Sequence, residues 1–201
     1  MARFSSLPTW WVRNLGLIDF EGGSQAGSSI AALKVVIGLS LVMDFHTKTA
    51  KNSITDIERL TGLSRPMVCK GIRALEEQGI VEINRDEHVH QYTLTMQDGD
   101  SGWAKLPYER MRKRLPELSN RGVIPLAAMK IYLLLAAWRP NESVQISVTY
   151  DRLRNETGIQ KRHIRPALDI LYSHSLLRVD VNAMAEQKKK HSNNIYILLG
   201  L

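Results

Sequence analysis

The sequence contains itself twice. Displaced by 96 residues, Ile30-Ala31-Ala32-Leu33-Lys34-Val35-Val36-Ile37 falls on Leu126-Ala127-Ala128-Met129-Lys130-Ile131-Tyr132-Leu133, and Thr61-Gly62-Leu63 falls on Thr157-Gly158-Ile159. The same offset sets Val68 on Ile164, Ile72 on Leu168, Leu75 on Leu171 and Ile80-Val81 on Leu176-Leu177. One ungapped offset that keeps apolar on apolar over about fifty positions marks a duplication, so a fold assigned to one copy must serve the other.

Each copy carries the same order of elements. The first opens with an apolar stretch, residues 29–45, where Ile30, Leu33, Ile37 and Leu41 recur at helical spacing and predict a single buried stripe. Ser53, with Asp56 three residues on, caps a second helix that closes at Thr61-Gly62, where glycine tolerates a left-handed turn. Ser64 caps a third helix with Pro66 in its first turn, and Val68, Ile72 and Leu75 form its inner face. Residues 80–85 and 89–95, joined at Asp86-Glu87, read as a hairpin. In the second copy Pro125 starts the first helix, a strand at 144–148 precedes a helix capped by Thr149, Gly158 makes the turn, and 161–174 is the third helix. Its hairpin strands, 176–181 and 195–199, flank a basic tip at 182–194. Matching Tyr92 with Tyr196 gives an offset of 104 against 96, so this hairpin is 8 residues longer. Pro166, inside the third helix, predicts a kink or a later helix start.

Three helices and a hairpin, with a short Thr-Gly turn between helices two and three, describe a winged helix-turn-helix. The expected fold class is therefore α+β, mainly α, with two tandem winged helix-turn-helix domains at 28–96 and 124–201. Residues 1–27 form an N-terminal segment whose Trp10 and Trp11 are too aromatic for a free tail, and they are expected to pack on the first domain or at an interface. Residues 97–123 are expected to be a linker, flexible at 97–102, with a short basic helix carrying Arg110, Arg112, Lys113 and Arg114.

Residues 57–81, running Ile57-Glu58-Arg59-Leu60-Thr61-Gly62-Leu63-Ser64-Arg65-Pro66-Met67-Val68 and onward, resemble the DNA-reading core of bacterial winged-helix proteins. Those families place Ser or Thr, Arg and a second small polar residue where this chain has Ser64, Arg65 and Met67, so Met67 departs from the pattern. The phrase Ile164-Arg165-Pro166-Ala167-Leu168-Asp169-Ile170 resembles a helix of tandem winged-helix plasmid replication initiators.

Charge points the same way. Residues 1–100 hold 10 Lys+Arg and 12 Asp+Glu, net −2, and residues 101–201 hold 17 and 8, net +9, which together make +7. A basic half suits a polyanionic partner, here double-stranded DNA. In the first copy the outward side of the third helix carries Ser64, Arg65, Met67, Lys70 and Arg73. In the second it carries Gln160, Lys161, Arg162, His163 and Arg165. Arg and Lys match guanine O6/N7 and Gln matches adenine N6/N7, while Lys188, Lys189 and Lys190 at the wing tip are placed to lie over backbone or minor groove.

Other classes are disfavoured. A single cysteine builds no intramolecular disulfide and no cysteine-rich zinc site, and residues 30–45 are interrupted as a membrane span by Lys34 and Asp44. Pro8 and Arg13 break any leader, so a cytoplasmic location without a membrane partner is expected. Gly22-Gly23-Ser24-Gln25-Ala26-Gly27-Ser28-Ser29 has phosphate-loop spacing but puts Ser28 where the lysine belongs. His88 and His90 share a strand face without a third ligand, and Cys69 lies beside an inner helix face as a small packing residue. Neither catalysis nor a cofactor nor a metal is expected.

The expected function is sequence-specific DNA binding in the initiation or control of replication of a plasmid, phage or integrating element, with replisome proteins and a homodimer as further partners. A winged-helix transcriptional regulator is one alternative. A protein-binding subunit like those of chromosome-segregation complexes is another.

Overall fold

The computed structural model describes residues 4–86, 89–96, 102–179 and 194–201. The chain is α+β, with helices predominating and three small antiparallel sheets. Its first half runs β1 (Phe4–Pro8), α1 (Trp10–Arg13), α2 (Ala26–Val42), β2 (Thr49–Lys51), α3 (Ile54–Thr61), α4 (Arg65–Glu77), β3 (Val81–Asn84) and β4 (Gln91–Leu94). The second runs β5 (Trp103–Pro107), α5 (Tyr108–Arg114), α6 (Val123–Trp138), β6 (Gln145–Val148), α7 (Tyr150–Thr157), α8 (Lys161–Ser173), β7 (Leu177–Val179) and β8 (Asn194–Leu198). Apart from a 3-10 turn at Gly23–Gln25, the two orders are identical. The likeness of the two halves therefore reaches further than the 96-residue offset reveals: residues 4–13 and 103–114 supply matching opening elements.

Each half has a three-stranded sheet with its last strand in the middle, ordered β2-β4-β3 and β6-β8-β7. Tyr92 stands opposite Ala50 and Ile83, and Tyr196 opposite Ile146 and Val179. Those neighbours are 96 residues apart while the tyrosines are 104 apart, so the register carries the 8-residue lengthening of the second hairpin. The expected strand at 144–148 forms as β6 and pairs with β8 of that hairpin.

The third sheet joins the halves. β1 pairs antiparallel with β5 in the register Phe4 with Pro107, Ser6 with Lys105 and Pro8 with Trp103. Equivalent strands of two repeats that pair head to tail about their midpoints define a local two-fold axis. The helices obey it: β1 packs on α2 and β5 on α6, α1 crosses to α6, α5 crosses to α2, and α2 lies against α6. One continuous apolar core runs through both halves.

That arrangement corrects the single-stripe reading of the first helix. α2 is buried on every face from Ser29 to Leu41, because α3 and α4 cover one side, β1 another, and α5 and α6 of the second half the rest. With the preceding turn it forms a 20-residue helical run, Gly23–Val42, long and apolar enough to match a bilayer, but its surface is used up in the core. Asp44 falls beyond the helix end, and Lys34 is fully buried within it. α6 is enclosed in the same way from Leu126 to Ala137.

Local signals fix the remaining ends. Ser53 and Asp56 form a reciprocal capping box, and the Thr149 hydroxyl accepts from the Arg152 N–H. Ser64 occupies the N-cap of α4, but its side chain makes no capping bond. α8 starts at Lys161 and continues through Pro166 to Ser173, so the helix begins where the sequence places it. Pro166 deprives the Arg162 carbonyl of its helical donor, and the burial of Ile164, Ala167, Leu168 and Leu171 compensates.

α4 packs directly against the backbone of α2 at Gly71. A Cβ there would stand 2.7 Å from the Ala31 carbonyl carbon and 2.8 Å from its oxygen. In a helix interior Gly→Ala normally gains about 1 kcal/mol. At this contact the sign inverts, and Gly71→Ala is expected to destabilise by about 1–3 kcal/mol through overpacking, read as a lower urea midpoint at unchanged slope.

Candidate nucleic-acid interface

What aims α4 and α8 is a buried lysine in each half. Lys34 on α2 donates from Nζ to the Thr61 carbonyl at 3.0 Å and the Leu118 carbonyl at 2.7 Å. Lys130 on α6 donates to the Thr157 carbonyl at 2.9 Å. Thr61 and Thr157 end α3 and α7, so each ammonium sits at a helix C-terminus, where the carbonyl dipoles favour a cation. Each threonine hydroxyl donates back into its own helix, to Ile57 and Leu153, and accepts from the N–H two residues on, Leu63 and Ile159. Gly62 and Gly158 follow with φ of 67° and 68°, a conformation costly for residues with a Cβ. Together these groups set the angle at which α4 leaves α3 and α8 leaves α7.

From those turns the two third helices present their predicted residues unequally. Arg65, Lys70 and Arg73 are exposed on α4, and Ser64 is exposed at its cap. Met67 is half-buried and packs on the core, its methyl next to Gly27 of α2, because a thioether gains more there than in water. Cys69 is exposed, which corrects its reading as a packing residue: the inner face at this turn is taken by Val68 and Ile72. On α8, Gln160, Lys161, Arg162 and Arg165 are all exposed within its first turns. His163 is half-buried and lines a space shared with α6, and its Nε2 accepts from Arg162 Nε at 3.3 Å. Lys188, Lys189 and Lys190 lie outside the described residues, as does His88.

Both helices carry free cations, and those of α8 fall within its first five residues. Among the described residues Lys161 and Arg165 make no ion pair, and neither do Arg65, Lys70 and Arg73. At the far end of α4, Arg85 grips Glu76 through two bonds of 2.8 and 2.7 Å and holds its carboxyl below the usual range. The basic stretch of α5 is largely occupied: Arg110 donates to the Ser175 carbonyl, Arg112 to the Tyr108 hydroxyl, and Arg114 pairs with Glu117. All three contacts lie within the second half, and Lys113 is exposed and makes no ion pair among the described residues.

Compared with protein-family models, curated proteins and solved structures, the chain matches none.

Sequence reasoning aligned Lys34 with Lys130 and Thr61 with Thr157 but gave the lysines no role. The signal was their position: a lysine at a helical position facing the core, preserved in both copies at 27 residues before the Thr-Gly pair. Burial lowers both ammonium pKa values from 10.5 to about 8. Between pH 8 and 10 the unfolded chain keeps protons that the folded chain has released, so stability rises with pH by about 1.4 kcal/mol per unit for each lysine. Above pH 10 the sign reverses, because burial pushes the Tyr92 and Tyr172 phenols up to about 12 and those of Tyr132 and Tyr196 higher still, so the unfolded chain ionises first. Urea unfolding measured from pH 7 to 11 is expected to show its stability maximum near pH 10, and a decline from pH 8 to 10 would exclude the buried-lysine account.

Proposed function

We propose that each half is a winged helix-turn-helix, that α4 and α8 are the reading helices, and that the chain binds double-stranded DNA sequence-specifically. Its role in this reading is initiation or control of replication on a plasmid, phage or integrating element, without a catalytic step. The observation that carries the reading is the cluster at the start of α8: Gln160, Lys161, Arg162 and Arg165, exposed, at the positive end of a 13-residue helix that follows a tight turn. Base-edge reading needs such donors at the N-terminal end of a helix narrow enough for the major groove.

The internal two-fold supports the tandem reading over a regulator with one winged helix per subunit, since a single chain already supplies the paired geometry that such a regulator gains by dimerising. Because α2, α6, β1 and β5 fix the halves together, the spacing between two half-sites is set by the core. Duplexes selected from a random pool at about 0.15 M salt, where weak phosphate-only binding is suppressed, are expected to share one half-site spacing. Lengthening the chain between residues 96 and 102 is expected to leave that spacing unchanged.

Arg162→Ala and Arg65→Ala are each expected to weaken specific binding by about 1–3 kcal/mol and to relax preference at one position. Loss from Arg162→Ala alone would assign α4, in the acidic half, to protein contacts. Binding without any recovered motif, lost as salt rises, would overturn the reading.

A further inference from the structure

The two lysine locks differ in how they are covered. In the first half the residues before α6 close over the turn: Leu118 supplies the second acceptor for Lys34, Asn120 Nδ2 donates to the Gly62 carbonyl at 2.9 Å, and the Pro116 carbonyl lies against Gly62. The two-fold sets the residues before α2 over the turn of the second half, where Ile18 reaches Gly158. Among the described residues no second carbonyl arrives there for Lys130. Among the described residues its ammonium has one acceptor, and two of its three N–H groups are left over although the side chain is only 5% exposed.

In place of the missing acceptor is a cavity of about 300 Å³, open on one side, into which Lys130 faces. Gly22 and Gly23 form one wall, the first turn of α6 with Val123, Leu126 and Ala127 a second, and the start of α8 with Ile159, Gln160 and His163 a third. Two helices, of 16 and 13 residues, thus begin at the same space with their positive ends toward it; the N–H groups of Leu126 and His163 are bonded to Gly122 and Gln160, while Val123, at the start of α6, precedes the first intrahelical donor. Gly23, at φ 61°, keeps side-chain bulk out of the rim. Asp19 and Glu21 are near enough to favour the charged form of Lys130, but they are exposed and do not line the cavity.

We propose that this cavity is a binding site for a phosphate group, held by Lys130 Nζ and the converging starts of α6 and α8. The chemistry follows from the twin: where Lys34 has a carbonyl oxygen, Lys130 requires an oxygen from outside the chain, and two helix N-termini select an anionic one. Phosphate oxygens come from a diffusible phosphate monoester or from a DNA backbone reaching the start of α8. Either source ties the orientation of α8 to occupancy, because the ligand bridges α8, α6 and the loop of the first half.

The test uses the full chain and no DNA, so its failure is separable from failure of the DNA reading. With lysines labelled at Cε, inorganic phosphate is titrated against chloride at matched ionic strength. Lys130 is expected to shift saturably with phosphate alone and Lys34 to stay in place. Lys130→Met is expected to weaken phosphate binding about tenfold or more, as loss of a charged hydrogen-bond donor implies. Since that variant removes a buried group and can fail to fold, the wild-type resonance carries the decision. A shift that does not saturate, or that chloride or Lys34 reproduces, overturns the proposal. Adding a short duplex then separates the sources: displacement of phosphate identifies the backbone, and retention identifies a diffusible ligand.

Discussion

An ammonium group buried against the last carbonyl of a helix is the contact on which the rest of the architecture depends. Removing a lysine charge from water costs several kcal/mol, and an unpartnered one would not persist. Here the cost is offset by charge-assisted bonds to Thr61 and Leu118 in one half and to Thr157 in the other, at the negative ends of α3 and α7. Only lysine fits. Its stem crosses the packed space between the central helix and the turn as hydrocarbon, and its tip delivers donors where carbonyls have lost their helical partners. Replacing it with an apolar side chain would leave those carbonyls buried and unsatisfied. The turn holds because the lysine holds it, and the direction of α4 or α8 follows.

The second constraint is the pairing of β1 with β5. A two-stranded ribbon has little stability of its own, so it forms here because each strand also packs on the central helix of its half, while α1 and α5 cross to the central helix of the other. Arg13 on α1 donates across the halves to the Ala137 carbonyl at 2.8 Å. These crossings explain why α2 and α6 show almost no amphipathic pattern. A helix with its own partners on one side and its twin on the other has no face left for water.

Much of the architecture was legible because duplication repeats its signals. Ser53 with Asp56, the two Thr-Gly pairs and the spacing of Val68, Ile72 and Leu75 located α3, α4 and their counterparts by local rules that tertiary contacts did not override. What escaped was set by contacts between distant segments. Nothing local in Trp103 to Pro107 marks it as the partner of Phe4 to Pro8, since each strand is short and lacks clean alternation. Burial of Ser29 to Leu41 on all faces depended on a second helix almost a hundred residues away. Of the candidate site, the exposed cations of α4 and α8 were readable from helical phase. The inward turns of Met67 and His163 were not, because both positions border the buried stripe and either side was open to them.

The asymmetry between the halves bears on function more than their likeness does. A duplicated fold begins with two equal surfaces, and here they have diverged in charge, in cover and in hairpin length. The second half carries the net positive charge, the longer hairpin and the open space beside Lys130. The first carries a sealed turn, an ion pair from Glu76 to Arg85 and a third helix whose outward side is interrupted by Met67 and Cys69. These differences surround a shared core in which α8 packs on α6, α6 on α2 and α2 on α4, so the two unlike surfaces are held by one continuous series of helices.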